Sequence, residues 1–108
     1  MTSKDILETQ IPERLQANPA LAKEINSVIH FDVSGEGGGK WTLDTTKSEG
    51  WVSEGHNGES KMTVSVSNED FVKVVSKQLN AQMAAMQGKL KFKPMDMGLA
   101  MKLAKLLG

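Results

Sequence analysis

The chain has 108 residues, 39% of them hydrophobic and 24% charged, with 13 basic and 13 acidic side chains and zero net charge. That length supports one domain, 1–108, with a single core; no apolar run approaches the roughly 20 residues of a membrane span, and the balanced charge argues against holding nucleic acid by phosphate neutralisation. The absence of cysteine excludes a disulfide framework, a thiolate metal site and a cysteine nucleophile.

Early charges at Lys4 and Asp5, with no continuous apolar stretch after them, lead us to expect no secretory leader. Ser3 is a candidate cap for a first helix bearing Ile6, Leu7 and Ile11, which Pro12 breaks or restarts and Leu15 extends. Asn18-Pro19 reads as a second start, with the Asn18 side chain accepting from the first free amides and Leu21, Ala22 and Ile25 on the apolar side. From Val28 the period falls to two. Ile29, Phe31 and Val33 alternate with His30 and Asp32, and the glycines from Gly35 to Gly39 turn the chain into a second strand with Trp41 and Leu43 inward. Trp51-Val52 begins a short third strand, so the three form an antiparallel meander. Met62, Val64 and Val66 then mark a fourth strand with one apolar face.

Ser67-Asn68-Glu69-Asp70 is a helix start, with acids in the first turn and Phe71, Val74, Val75 and Leu79 on the buried side; the helix is predicted to end near Gln78. Asn80 caps a short helix carrying Met83 and Met86, and Gly88 ends it. In Lys89 to Lys93 the apolar Leu90 and Phe92 alternate with three lysines, the pattern of a charged edge strand, which Pro94 closes. The last segment, Met97 to Leu107, is helical but over-apolar. At 100° per residue its apolar side chains cover roughly 220° of the circumference, with Gly98, Lys102 and Lys105 in the polar sector. A surface helix buries a stripe a little over 100° wide, so this one needs a second apolar partner: a ligand, another subunit or a membrane.

The chemistry-bearing residues form no catalytic constellation. Gly35-Glu36-Gly37-Gly38-Gly39-Lys40 has Trp41 where a phosphate loop needs Ser or Thr, and no helix follows, so it reads as a hairpin turn. His30 on a strand and His56 in a polar loop lack partners at ligand spacing. No nucleophile elbow and no distinct carboxylate pair occurs. We therefore expect no enzyme, no cofactor and no metal. Methionine says more, since five of the seven, Met83, Met86, Met95, Met97 and Met101, fall in the last 26 residues. Flexible thioethers suit a wall that accepts several ligand shapes. Charge is uneven as well: residues 1–70 hold 6 basic and 12 acidic groups, residues 71–108 hold 7 lysines and Asp96, so the halves carry −6 and +6.

NAQMAAMQGKLKFKPMDMGLAMKLAKLL at Asn80 to Leu107 resembles the closing half of the type-two sterol carrier protein family, and FDVSGEGGGKWTLD at Phe31 to Asp44, SNEDFVKVV at Ser67 to Val75 and QGKLKF at Gln87 to Phe92 agree in order. The resemblance covers nearly the whole chain and is weaker before Asn26. It implies an α+β fold, a five-stranded sheet covered on one face by helices, with an apolar tunnel for fatty acids, fatty acyl-CoA, sterols or phospholipids. Carried over by position, Phe71, Val75, Met83, Met86, Leu90, Phe92, Leu99, Met101, Leu103, Leu106 and Leu107 are candidates for the tunnel and its lid. Lys93-Pro94-Met95-Asp96 departs from the family, whose members show a second glycine soon after the G-K-L-K run, so a different lid hinge is expected. The end Leu106-Leu107-Gly108 is not a peroxisomal tripeptide, and the expected location is cytoplasmic. Lys89, Lys91, Lys93, Lys102 and Lys105 are candidates to attract an acyl-CoA phosphate or, transiently, an anionic membrane. The alternative function is a protein interaction module that dimerises through the apolar C-terminal helix; the oligomeric state is left open.

Overall fold

The computed structural model describes residues 2–48, 50–93 and 96–107. The N-terminal quarter is a helical arm: α1 (Ser3–Asp5), a π-helical turn (Ile6–Gln10), α2 (Ile11–Ala17) and α3 (Pro19–Ile25). Thr2, not Ser3, caps it. The Thr2 hydroxyl accepts from Asp5 N at 3.2 Å, and the Asp5 carboxylate accepts from Thr2 N at 3.3 Å. Ser3 is instead buried, and its amide and hydroxyl both donate to Asn68 Oδ1, at 3.0 and 2.5 Å. Of the two outcomes expected at Pro12, a break or a restart, the structure shows the restart: Pro12 lies in the first turn of α2. Ile11 N–H reaches back five residues to Ile6 O, and this wider turn accommodates a ring that would clash with a carbonyl four residues back. The Asn18 side chain makes no capping bond; its backbone carbonyl accepts from Leu21 N at 3.1 Å.

The sheet contains β1 (Val28–Ser34), β2 (Gly39–Asp44), β3 (Val52–Glu54), β4 (Met62–Ser67) and β5 (Leu90–Lys93), in the order β3-β2-β1-β4-β5. The predicted meander of the first three strands is present, β4 pairs with β1 in parallel, and β5 closes the edge antiparallel to β4. Register puts the apolar set on one face: Phe31 lies between Trp41 and Val64, Val64 faces Phe92, and Ile29 lies between Leu43 and Met62. All of these are buried. Gly38 explains the glycine run, because a Cβ there would collide with the carbonyl of Val33 across the hairpin.

The opposite face carries His30, Thr42, Asp32 and Ser65, and the loop after β3 crosses it. His56 stacks on His30 with ring centroids 4.4 Å apart, while the Thr42 hydroxyl donates to Gly55 O at 2.6 Å and accepts from Asn57 N at 2.9 Å. His30 is therefore a buried structural residue, stacked beneath a loop.

The helices cover the apolar face. α4 (Asn68–Val75), capped by Ser67, sets Phe71 at 5.9 Å from Phe31. It ends before the predicted Gln78, because the Ser76 hydroxyl donates to Val72 O and Lys77 turns left-handed at φ 66°. α5 (Ala81–Met86) starts on Asn80, whose side chain accepts from Gln82 N and Met83 N, and α6 (Met97–Leu107) spans the predicted range. The predicted Pro94 stop and the Met95 part of the junction lie outside the described residues.

Candidate functional site

The two faces of α6 have different neighbours. Leu99, Leu103, Leu106 and Leu107 are buried in the core, whereas Met97, Ala100, Met101 and Ala104 line a groove of about 470 Å³. Ala81, Gln82, Ala85 and Met86 of α5 form the facing wall, and Phe92 of β5 completes the lining. Among the described residues, Gln82 is the only polar one in that lining. Alanine pairs spaced four apart on both helices leave the space, since a larger side chain at either position would fill it. The groove is open, with Met86, Met97 and Met101 at 83, 67 and 51% exposure. The described residues thus form a groove rather than a closed tunnel.

Long-range hydrogen bonds fix α6 against the N-terminal arm. Arg14 Nη1 donates to Leu106 O at 2.8 Å and Leu107 O at 2.7 Å, and its Nη2 donates to Val75 O at 3.4 Å. A single guanidinium so satisfies carbonyls at the ends of α6 and α4, where helix dipoles concentrate negative charge. Lys102 Nζ donates to Glu24 O at 3.0 Å, and Asp96 Oδ1 accepts from Leu99 N at 3.1 Å. Nothing in the sequence pattern singled out Arg14.

Of the residues predicted to contact ligand, Met86, Phe92 and Met101 come together at the groove. Phe71, Val75, Leu90, Leu99, Leu103, Leu106 and Leu107 lie buried in the core, and Met83 is half exposed outside the groove lining. The lining alanines and Met97 were not among the candidates. Their signal was the spacing Ala81/Ala85 and Ala100/Ala104, small residues repeated where a packed helix would place larger ones.

A second cavity of about 530 Å³ adjoins the groove, sharing Ala81, Gln82, Met101 and Ala104 with it and adding Lys77, Asn80 and Lys105. Val74 and Leu79 also line it, so this second space is of mixed character, apolar side chains beside two exposed lysines. Lys91 and Lys93 stand at exposed positions of β5 on either side of Phe92 and belong to neither lining.

A mixed five-stranded sheet with helices on its apolar face and a groove beside its last helix defines the class of this protein. The SCP-2 sterol transfer family profile matches residues 8–108, and the chain belongs to that family. It is 41% identical over 88 residues to hydroxysteroid dehydrogenase-like protein 2 of Bos taurus, covering 81% of this chain and 21% of that protein. With the Xenopus laevis protein of the same name the identity is 38% over 92 residues, covering 84% and 22%. The chain therefore spans about a fifth of the length of the curated relatives it matches. Among solved structures, palmitated SCP2L2 from Aedes aegypti superposes with a TM-score of 0.79 at 28% identity, over 99% of this chain and 95% of that one. The sterol carrier protein domain 2 of Helicoverpa armigera gives 0.78 at 28% identity, over 97% and 88%.

Proposed function

We propose that the chain binds one lipid-type molecule at a time in the groove between α5, α6 and β5 and carries it without chemical change. The observation that carries this reading is the second apolar side of α6, Met97, Ala100, Met101 and Ala104, which lines the groove. The groove volume falls in the range of about 300–1,000 Å³ found for small-molecule sites. Burying a dozen methylenes there contributes on the order of 10 kcal/mol before the costs of ordering. Family membership and the similarity to a palmitated protein support the same reading. Among the described residues the lining offers no acid, base or nucleophile, which favours carriage over catalysis. Dimerisation through α6 is the less favoured reading, because one side of the helix is already buried and the other has the groove before it.

Ala104→Phe fills the groove from α6 without touching the core. The expected outcome is at least a tenfold loss of affinity for a fluorescent fatty acid, with an unchanged circular dichroism spectrum and a monomer-sized light-scattering mass. Unaltered affinity in a folded variant would remove the groove from consideration.

A further inference from the structure

We infer that Met86, Met97 and Met101 are an oxidation site, at which a peroxide converts the thioethers of the groove to sulfoxides and so switches off uptake of an apolar ligand. The inference rests on the groove being the lipid site. Distribution is the first ground. Among the described residues the exposed large hydrophobic side chains are Met83, Met86, Met97 and Met101, all of them methionines, while Met62 in the sheet core is 1% exposed. α6 sorts its long apolar side chains by neighbour: Leu99, Leu103, Leu106 and Leu107 are buried in the core, and Met97 and Met101 line the groove. Leucine and methionine differ little in volume and helix propensity, so what the groove side gains is a flexible, oxidisable sulfur. Placement is the second ground. Met86 ends α5, and Met97 and Met101 stand four apart on α6, so thioether side chains line both walls, exposed enough for a peroxide to reach them. The sulfur lone pair attacks the terminal oxygen of a hydroperoxide. The S–O bond forms as the O–O bond breaks, and the proton passes to the departing oxygen, leaving an alcohol, or water from hydrogen peroxide. The sulfoxide is polar and accepts hydrogen bonds; in the described lining only Gln82 has a side chain able to donate one. A ligand closing over the sulfoxide strips its water without supplying a donor, which opposes binding. Methionine sulfoxide reductases reverse the change.

The experiment treats the protein with hydrogen peroxide, reads each methionine by peptide mass spectrometry and measures affinity for the neutral probe N-phenyl-1-naphthylamine. Met83, half exposed but outside the groove lining, is the internal control. Bound palmitate is expected to slow oxidation at Met86, Met97 and Met101 while leaving Met83 unprotected. Oxidised protein with an unchanged circular dichroism spectrum is expected to bind the probe at least roughly tenfold more weakly, and sulfoxide reductase to restore the affinity. The triple variant Met86→Leu, Met97→Leu, Met101→Leu keeps the lining apolar and its volume close to the original. It is expected to bind the probe as wild type does and to hold that affinity through peroxide treatment, although Met83 still oxidises. The switch is overturned, with the groove left standing, by oxidised wild type that binds as before, or by a leucine variant that binds poorly untreated or loses affinity to peroxide. Loss of the folded spectrum on oxidation also overturns it, by assigning these sulfurs to the fold. Palmitate that binds but shields none of the three overturns the switch and moves the ligand away from the groove. Untreated wild type that binds neither probe nor palmitate overturns the groove and the switch together.

Discussion

Met101 and Leu103 stand two positions apart on α6 and meet opposite fates, the first 51% exposed at the groove and the second fully buried. Leu103→Ala removes core contacts from a site that cannot fully collapse, and it is expected to destabilise the fold by about 2–5 kcal/mol. Met101→Ala leaves the core intact, so its stability change should stay within about 0.5 kcal/mol while affinity for a fluorescent fatty acid falls. Urea unfolding of both variants checks the contrast, and equal losses would contradict this assignment of the two faces. Hydrophobicity alone does not separate these residues. The sequence showed that α6 had apolar side chains to spare, but which of them met the core depended on where α2 and α3 lay. Phe71, Val75 and Leu90 belong to the same lesson: their apolar character was legible, their burial in the core and not in the groove lining was not.

The strands and most helices were readable as elements because their signals are local. Period-two alternation located β1, β2 and β4, and the caps at Ser67 and Asn80 formed as expected. Where the signal depends on a distant partner, the reading failed. Ser3 was free to cap until Asn68, 65 positions away, claimed its hydroxyl. Pro12, expected either to break the arm or to open a new first turn, does the second in α2, with a π-helical turn before it. Arg14 is the clearest case of a contact across the chain, tying α2 to the ends of α4 and α6. Charge-assisted hydrogen bonds contribute about 1.5–3 kcal/mol, so Arg14→Ala should lower the unfolding free energy by about 2 kcal/mol. Arg14→Lys should recover only part of it, since an ammonium cannot present a planar fork to the carbonyls. Denaturant titration of the pair is the measurement, and full recovery by lysine would reduce the role of Arg14 to simple charge.

At the scale of the molecule, a ligand held only by the folded state must stabilise it. At free ligand one hundredfold above Kd the gain is about 2.7 kcal/mol, which for a domain of this size raises Tm by on the order of 10 °C. Scanning calorimetry with and without palmitate tests this, and an unmoved transition would count against the groove as its site. The sequence by itself determined the alternation that builds one apolar sheet face, the helices that cover it, the family resemblance and the surplus of apolar surface on the last helix. These follow from periodicity and residue type, which act over a few positions along the chain. Only the tertiary structure decided that β4 lies parallel to β1, that the loop bearing His56 covers the polar face, and that α5, α6 and β5 part around a groove continuous with Lys77 and Lys105. Each of those depends on segments far apart in the chain, whose approach is set by packing the whole core at once.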